Sequence, residues 1–182
     1  MNSPKVSLVI PCFNEGENLV ALKPRIRALL SSNPEIEVVL VDNGSTDNTR
    51  EIILALSIES SQVVFVPVEK NIGYGHGIKE GLRNASGAVL AWTHADMQTD
   101  PLDLLACLPE LDPLPREFFA KGLRRGRPLS DAFFTVSMSV FESLLFRLPL
   151  RDINAQPTVF SSDLLEEVLS GPNDFSMDLF AY

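Results

Sequence analysis

Only two cysteines occur among the 182 residues, Cys12 and Cys107, far apart and in no ligand motif. That scarcity excludes a disulfide framework and a cysteine-built zinc site, and it reads as free thiols in a reducing compartment. Positive charge is scarce too: 15 Lys and Arg stand against 24 Asp and Glu, a net charge of −9. Such a balance argues against a nucleic-acid backbone as partner and against adhesion to an anionic bilayer by charge alone. An acidic chain still binds a diphosphate when a divalent cation sits between them. No apolar run approaches the roughly 18 residues of a membrane span. The opening MNSPKVSLVI lacks the basic segment, apolar stretch and cleavage site of a secretory leader. The expected location is cytoplasmic, with contact at a membrane surface left open. With 45% hydrophobic and 21% charged residues, the chain reads as one globular domain and not as a disordered one.

What the first hundred residues do contain is an alternation of short β-branched runs with helical patterns, the signature of parallel βαβ units. Strands are expected at 6–10, 38–41, 63–66 and 89–93. Helices are expected from about 17 to 30, with Pro24 breaking or restarting the first, then up to about Leu56 after a Ser45 or Thr46 cap, and over 78–84. Three prolines in LPELDPLPREF (108–118) then separate a regular first half from a less regular second. There a short strand is expected at 118–121, a long helix at 130–146 and a last helix from Asp163, capped by serine. The ending DFSMDLFAY stops inside an apolar, helix-like pattern and reads either as a short last helix or, the preferred reading, as the truncated end of a longer chain.

Two apolar runs end abruptly in acidic and amide side chains, VVLVDNGSTDNT (38–49) and AVLAWTHADMQTDP (88–101). In an open α/β sheet ligands bind at the carboxyl ends of strands, so the two edges suggest one site for an anionic, metal-bound ligand, a nucleotide diphosphate first. If the chain stays extended past the fourth strand, His94, Asp96 and Gln98 fall on one side, a plausible donor set for Mg²⁺ or Mn²⁺. The structural alternative is an Asp-Pro turn in which Asp96 caps the next helix. Asp42 and Asn43 read either as an Asx-turn with a helix cap or, for Asp42, as an acceptor for the N–H and O–H groups of a base or ribose. GYGHG (73–77) lacks the full dinucleotide-loop spacing and reads as a permissive turn, with His76 a surface or packing residue. KGLRRGR (121–127) is the single dense basic cluster, so Lys121, Arg124, Arg125 and Arg127 either bind an anionic acceptor or form a solvated loop.

Taken in order, VSLVIPCFNEGENL, VVLVDNGSTDNT, NIGYGHGIKEGLRNASG, WTHADMQTDP and FAKGLRRGR resemble glycosyltransferase family two, closest to its dolichyl- or polyprenyl-phosphate sugar transferase branch. The resemblance covers residues 5 to 125 well and the remainder loosely. It implies a GT-A fold: a Rossmann-like, mostly parallel sheet flanked by helices, with a nucleotide-binding half (1–108) and an acceptor half (116–182). Pro11, Asn14, Glu15, Asp42 and Asn43 would line the nucleotide pocket. Asp96 would be the principal ligand of Mg²⁺ or Mn²⁺, with Gln98 and His94 beside it. Arg124, with Lys121 and Arg125, would contact the acceptor phosphate. His94 stands where the family has the first Asp of its D-x-D motif, and Thr158 where related transferases often carry an arginine.

The activity so implied is metal-assisted, inverting sugar transfer from a nucleotide-diphosphate sugar to a polyprenyl or dolichyl phosphate. A hydroxyl acceptor would need a general base, for which Asp178 is the candidate and Asp174 the substitute; the alternative for Asp178, slightly preferred, is an exposed residue on an amphipathic helix. The competing class is a non-catalytic nucleotide-sugar-binding module or a subunit completed by a partner. A sugar nucleotidyltransferase ranks third, because PCFNEGEN (11–18) is not the Gly-rich basic loop a triphosphate needs.

Overall fold

Strands that read as nearly continuous apolar runs belong inside a parallel sheet covered on both faces, and the computed structural model, which describes residues 5–111, 116–122 and 155–180, builds that sheet. Its strands are β1 (Val6–Cys12), β2 (Ile36–Asn43), β3 (Val63–Val68), β4 (Val89–Trp92), β5 (Phe119–Lys121) and β6 (Thr158–Ser161), in spatial order β3-β2-β1-β4-β6-β5. β1 to β4 run parallel, whereas β6 is antiparallel to both β4 and β5.

Side-chain alternation divides β1 between two cores. Leu8 and Ile10 join the helices α1 (Gly16–Ser32), α2 (Thr49–Glu59) and α4 (Asp103–Leu111) on one face. Val9 packs on the other, with α3 (Tyr74–Arg83), α5 (Leu165–Leu169) and the short α6 (Met177–Phe180). In α1 the buried positions Leu19, Leu22, Ile26 and Leu29 recur at three- and four-residue spacing, one stripe of a 3.6-residue helix. α1 is not broken at Pro24, contrary to expectation. The carbonyl that Pro24 leaves without a donor belongs to Val20, which is itself largely exposed, so solvent can satisfy it.

The α2 cap also differs from the sequence expectation. The helix begins at Thr49 after Asn48, while Ser45 and Thr46 turn toward the β1–α1 loop instead. The element at Asp163 is a 3-10 turn, Ser162–Leu164, leading into α5 without a side-chain cap. β6 was absent from the sequence reading, and Thr158, the position of the missing arginine, is its fully buried first residue. The expected helix over 130–146 and the cations Arg124, Arg125 and Arg127 lie outside the described residues. Among the described residues no helix is long and apolar enough to cross a membrane.

One buried carboxylate holds the amino ends of the central strands. Glu37 accepts hydrogen bonds from Ser7 Oγ, Ser86 N and Ser86 Oγ, which is why an acidic residue is tolerated inside β2. Sequence neighbours β2 and β3 lie on one side of β1 and β4 on the other. The strand order therefore reverses between β1 and β4, and a crevice opens outside the carboxyl ends of the strands there.

Candidate functional site

That crevice is a cleft of about 410 Å³, walled by Pro11 and Cys12 at the end of β1, Phe13 and Glu15 after it, Asn43 at the end of β2, Asn71, Gly73 and Tyr74 before and in α3, His94 to Asp96 after β4, and Phe175. Five of the residues expected from sequence thus meet in one place: Pro11, Glu15, Asn43, His94 and Asp96.

Two loops form its floor, and each satisfies the other. Asn14 takes a left-handed backbone (φ 55°) and its side-chain oxygen accepts Thr46 N at 2.8 Å. In return Asn14 N donates to Ser45 Oγ, Glu15 N to Thr49 Oγ1 and Gly16 N to Asp47 Oδ2. The first backbone donors of α1, which a helix leaves orphaned, are therefore met by the β2–α2 loop. Asp42 lies beneath this floor and not on the cleft wall. It is fully buried; one oxygen accepts Ser45 N at 2.9 Å and the other pairs with Arg50. The Asx-turn alternative describes this arrangement, and Arg50, unremarked in the sequence, supplies the countercharge. Asn43 donates through Nδ2 to Gly73 O at 3.0 Å, and its buried Oδ1 has no partner among the described residues. Cys12 lines the cleft, and burial, reinforced by Glu15 and Asp42, pushes its thiol well above the usual range.

Past β4 the strand alternation stops. Met97 adopts φ 61°, and Asp96 Oδ1 accepts Gln98 N at 3.0 Å, closing a turn. His94 and Asp96 consequently face the cleft together, whereas Gln98 is exposed and outside it. The extended-chain geometry expected for the three does not occur. His94 instead stacks on Tyr74 (ring centroids 5.1 Å apart, planes at 15°), and Tyr74 stacks on Phe175 (5.2 Å, 13°).

Tyr74 was not identified from sequence; its one signal is that it is the aromatic residue of the helix-opening GYGHG. Burial, with Asp178 and Asp96 nearby, pushes its hydroxyl well above the usual range, and the buried oxygen has no partner among the described residues. The glycines around it serve close approach. A Cβ on Gly73 would lie 2.0 Å from Asn173 O, and one on Gly75 2.4 Å from Pro172 O. His76 N donates to Asn173 O and buried Lys79 Nζ to Gly171 O, so the 171–177 segment is pinned along α3. His76 itself is half-buried, its ring 3.6 Å from Glu80, in the packing role expected of it.

Asp178 is buried behind the cleft and not among its lining residues. Trp92 Nε1 (3.1 Å) and Gln156 Nε2 (3.0 Å) both donate to its Oδ1, and Lys121 Nζ donates to its backbone carbonyl at 2.7 Å. α6 is thereby tied to β4, to β5 and to the residues preceding β6. Asp178→Ala would leave the Trp92 and Gln156 donors buried and unpaired, an expected loss of about 2–3 kcal/mol in denaturant titration. A loss below about 0.5 kcal/mol would show that these tethers carry little of the fold. Asp174, the substitute base, is exposed and accepts Ser176 N and Oγ; the Ser176 bonds hold its carboxyl below the usual range.

Among the described residues no group of three or more His, Cys, Asp or Glu side chains is gathered to enclose a metal. The cleft nevertheless suits a cation of the Mg²⁺ or Mn²⁺ kind. Such ions are held by one or two protein ligands with the rest of the shell from substrate phosphates and water, and Asp96 Oδ2 and both His94 nitrogens have no partner among the described residues.

The model of the family "Glycosyl transferase family 2" matches residues 7–153. The chain belongs to glycosyltransferase family 2. Its relatives include the undecaprenyl-phosphate 4-deoxy-4-formamido-L-arabinose transferase of Proteus mirabilis, 32% identical over 137 residues that cover 74% of this chain and 41% of that protein. The transferase of the same name from Yersinia enterocolitica is 37% identical over 103 residues, covering 55% of this chain and 31% of the relative. This family 2 chain thus spans less than half the length of the curated relatives it matches. A mannosyltransferase from Pyrobaculum calidifontis, solved with GDP-Man and Mn²⁺, superposes with a TM-score of 0.70 at 24% identity, covering 98% of this chain and 50% of that one. Glucosyl-3-phosphoglycerate synthase from Mycobacterium tuberculosis, solved with UDP, gives 0.65 at 20% identity, with coverage of 88% and 58%. Those superpositions establish the GT-A fold expected from sequence.

Proposed function

We propose that this family 2 chain transfers a sugar from a nucleotide-diphosphate sugar to a polyprenyl phosphate. The observation that carries this reading is the cleft itself: His94 and Asp96 meet the loops after β1 and β2 at the point where the strand order reverses. The curated relatives, named for undecaprenyl phosphate, supply the acceptor class. Residues 1–108 form the nucleotide half and 116–182 the acceptor half in this reading, with the acceptor contacts drawn from Lys121, Arg124 and Arg125. A lipid acceptor sets the reaction at a membrane surface, on its cytoplasmic side.

Asn14 and Glu15 hold the β1–α1 loop, Pro11 and Asn43 wall the nucleotide, and Asp42 fixes the loop beneath it. A divalent cation held by Asp96 and His94 would neutralise charge on the diphosphate leaving group. In the transfer, an acceptor phosphate oxygen forms a bond to the anomeric carbon on the face opposite the diphosphate. The bond from that carbon to the diphosphate oxygen breaks, and its electron pair leaves with the nucleoside diphosphate. The anomeric configuration inverts. The acceptor phosphate is already ionised and needs no base, so Asp178 is left to its role as an anchor. A binding module without activity is not favoured, because the acidic side chain that catalysis requires is present and faces the cleft.

Trp92, the single tryptophan, is buried two residues before His94 and bonded to Asp178, so its fluorescence reports on the site. Titration with GDP and with UDP, each with and without Mn²⁺, is expected to give a saturable, metal-dependent change for one nucleotide. Silence to both, together with flat calorimetry, would reject the donor site.

A further inference from the structure

The cation position departs from an all-oxygen arrangement in a way the structure makes specific. An imidazole occupies the place two residues before Asp96, it lines the same cleft, and neither of its nitrogens is engaged by protein among the described residues. It is also not loosely held: its plane lies within 15° of the Tyr74 ring. Tyr74 is in turn clamped on its other face by Phe175 and carried by a helix start that three glycines press against Asn43 and the 172–174 backbone. Mg²⁺ is a hard ion that takes oxygen ligands and tolerates little distortion. Mn²⁺ also favours oxygen, but as a first-row transition ion it accepts an imidazole nitrogen more readily than Mg²⁺ does.

We propose that His94 is a nitrogen ligand that makes the site select Mn²⁺ over Mg²⁺, and that Tyr74 is the positioning residue which holds the imidazole for that purpose. The proposal rests on the reading that a cation-bound nucleotide occupies the cleft. It goes further in giving the cation's identity, and the job of keeping it, to a ring stack that spans residues 74, 94 and 175. The Tyr74 hydroxyl plays no part in it: the ring acts through its face, so phenylalanine should replace it and an aliphatic side chain should not. Ligand-orienting neighbours of this kind typically change metal affinity by 10- to 100-fold when removed.

The test is binding, not turnover. Mn²⁺ and Mg²⁺ affinities are measured by calorimetry with saturating GDP or UDP, whichever the chain binds, for the unaltered protein, His94→Asp, Tyr74→Leu and Tyr74→Phe. The Mn²⁺-to-Mg²⁺ affinity ratio is expected to fall on the order of ten-fold in His94→Asp. Mn²⁺ affinity is expected to fall on the order of ten-fold in Tyr74→Leu and to stay near the unaltered value in Tyr74→Phe. Independently of any variant, the electron spin-echo spectrum of bound Mn²⁺ should show modulation from a directly coordinated imidazole nitrogen. Nucleotide and Mn²⁺ bound together without that modulation, or an unchanged ratio in His94→Asp, would overturn this inference and leave the donor site standing. Equal Mn²⁺ affinity in the two Tyr74 variants would remove Tyr74 from it. If no nucleotide binds with either metal, the transferase reading falls and this one falls with it.

Discussion

Replacing Asp96 by alanine is expected to lower kcat/KM for sugar transfer by roughly 10³-fold or more, with little effect on folding. The asymmetry follows from where Asp96 sits. It faces the cleft, and its one bond within the described residues is to the Gln98 amide, so the fold loses only the closure of a small turn. Catalysis loses the anionic group that would hold charge-neutralising metal against the diphosphate, and that charge is greatest in the transition state. Transfer to undecaprenyl phosphate and thermal unfolding should be measured on the same preparation. Turnover within ten-fold of the unaltered chain would refute the assignment of Asp96. A large loss of stability would show that the turn itself, and not the carboxylate's charge, matters. Asp96→Asn, which keeps the turn's acceptor oxygen but removes the charge, should resemble alanine in turnover.

The second large effect is expected from a single methyl group. Gly73 has φ 135° and ψ 163°, a backbone region that essentially only glycine adopts, and an added Cβ would lie 2.0 Å from the carbonyl oxygen of Asn173. Neither strain relieves the other, because turning the Gly73 backbone would break the bond from its amide to Asn71 Oδ1 and move the carbonyl that Asn43 uses. Gly73→Ala is therefore expected to destabilise the fold by about 2–5 kcal/mol, roughly a 10 °C drop in Tm for a chain of this size. Since the 171–177 segment is what must move, Phe175 leaves the Tyr74 stack and nucleotide affinity falls with stability. A variant within 1 kcal/mol of the unaltered chain would show that this contact is easily relieved.

What could be read in advance follows the physics of each element. β1 to β4 were legible because a strand buried on both faces must be an uninterrupted apolar run, and the acidic residues that end such runs mark the ligand-bearing edge. β6 was not legible. Its four residues follow Pro157, and their burial depends on β4 and β5, which the sequence does not place beside them. The helix α1 showed the reverse error: Pro24 carries a strong local penalty, and the buried stripe from Leu19 to Leu29 overrides it. Within the site, His94 and Asp96 were found because they are close in sequence at a strand end. Asp42 was expected on the pocket wall and lies beneath it, because nothing local revealed that Arg50 would take its charge. Tyr74 and Phe175 were missed for a different reason: a stack of residues 74, 94 and 175 has no sequence spacing to recognise, since only the docking of the 171–177 segment on α3 assembles it.

β6 has a consequence for the birth of the protein. β4 and its partner β1 both lie in the first hundred residues, but the other neighbour of β4 is not synthesised until residue 158, and among the described residues β5 pairs with β6 alone. In the interval VLAW is a bare sheet margin, apolar in its side chains and unanswered in its peptide groups, the kind of surface on which nascent chains stick to one another. A ribosome that stalls before Ser161 releases a product with its donor loops in place and its sheet unfinished. The four residues of β6 work as a keystone: once they are laid, the margin of β4 is covered.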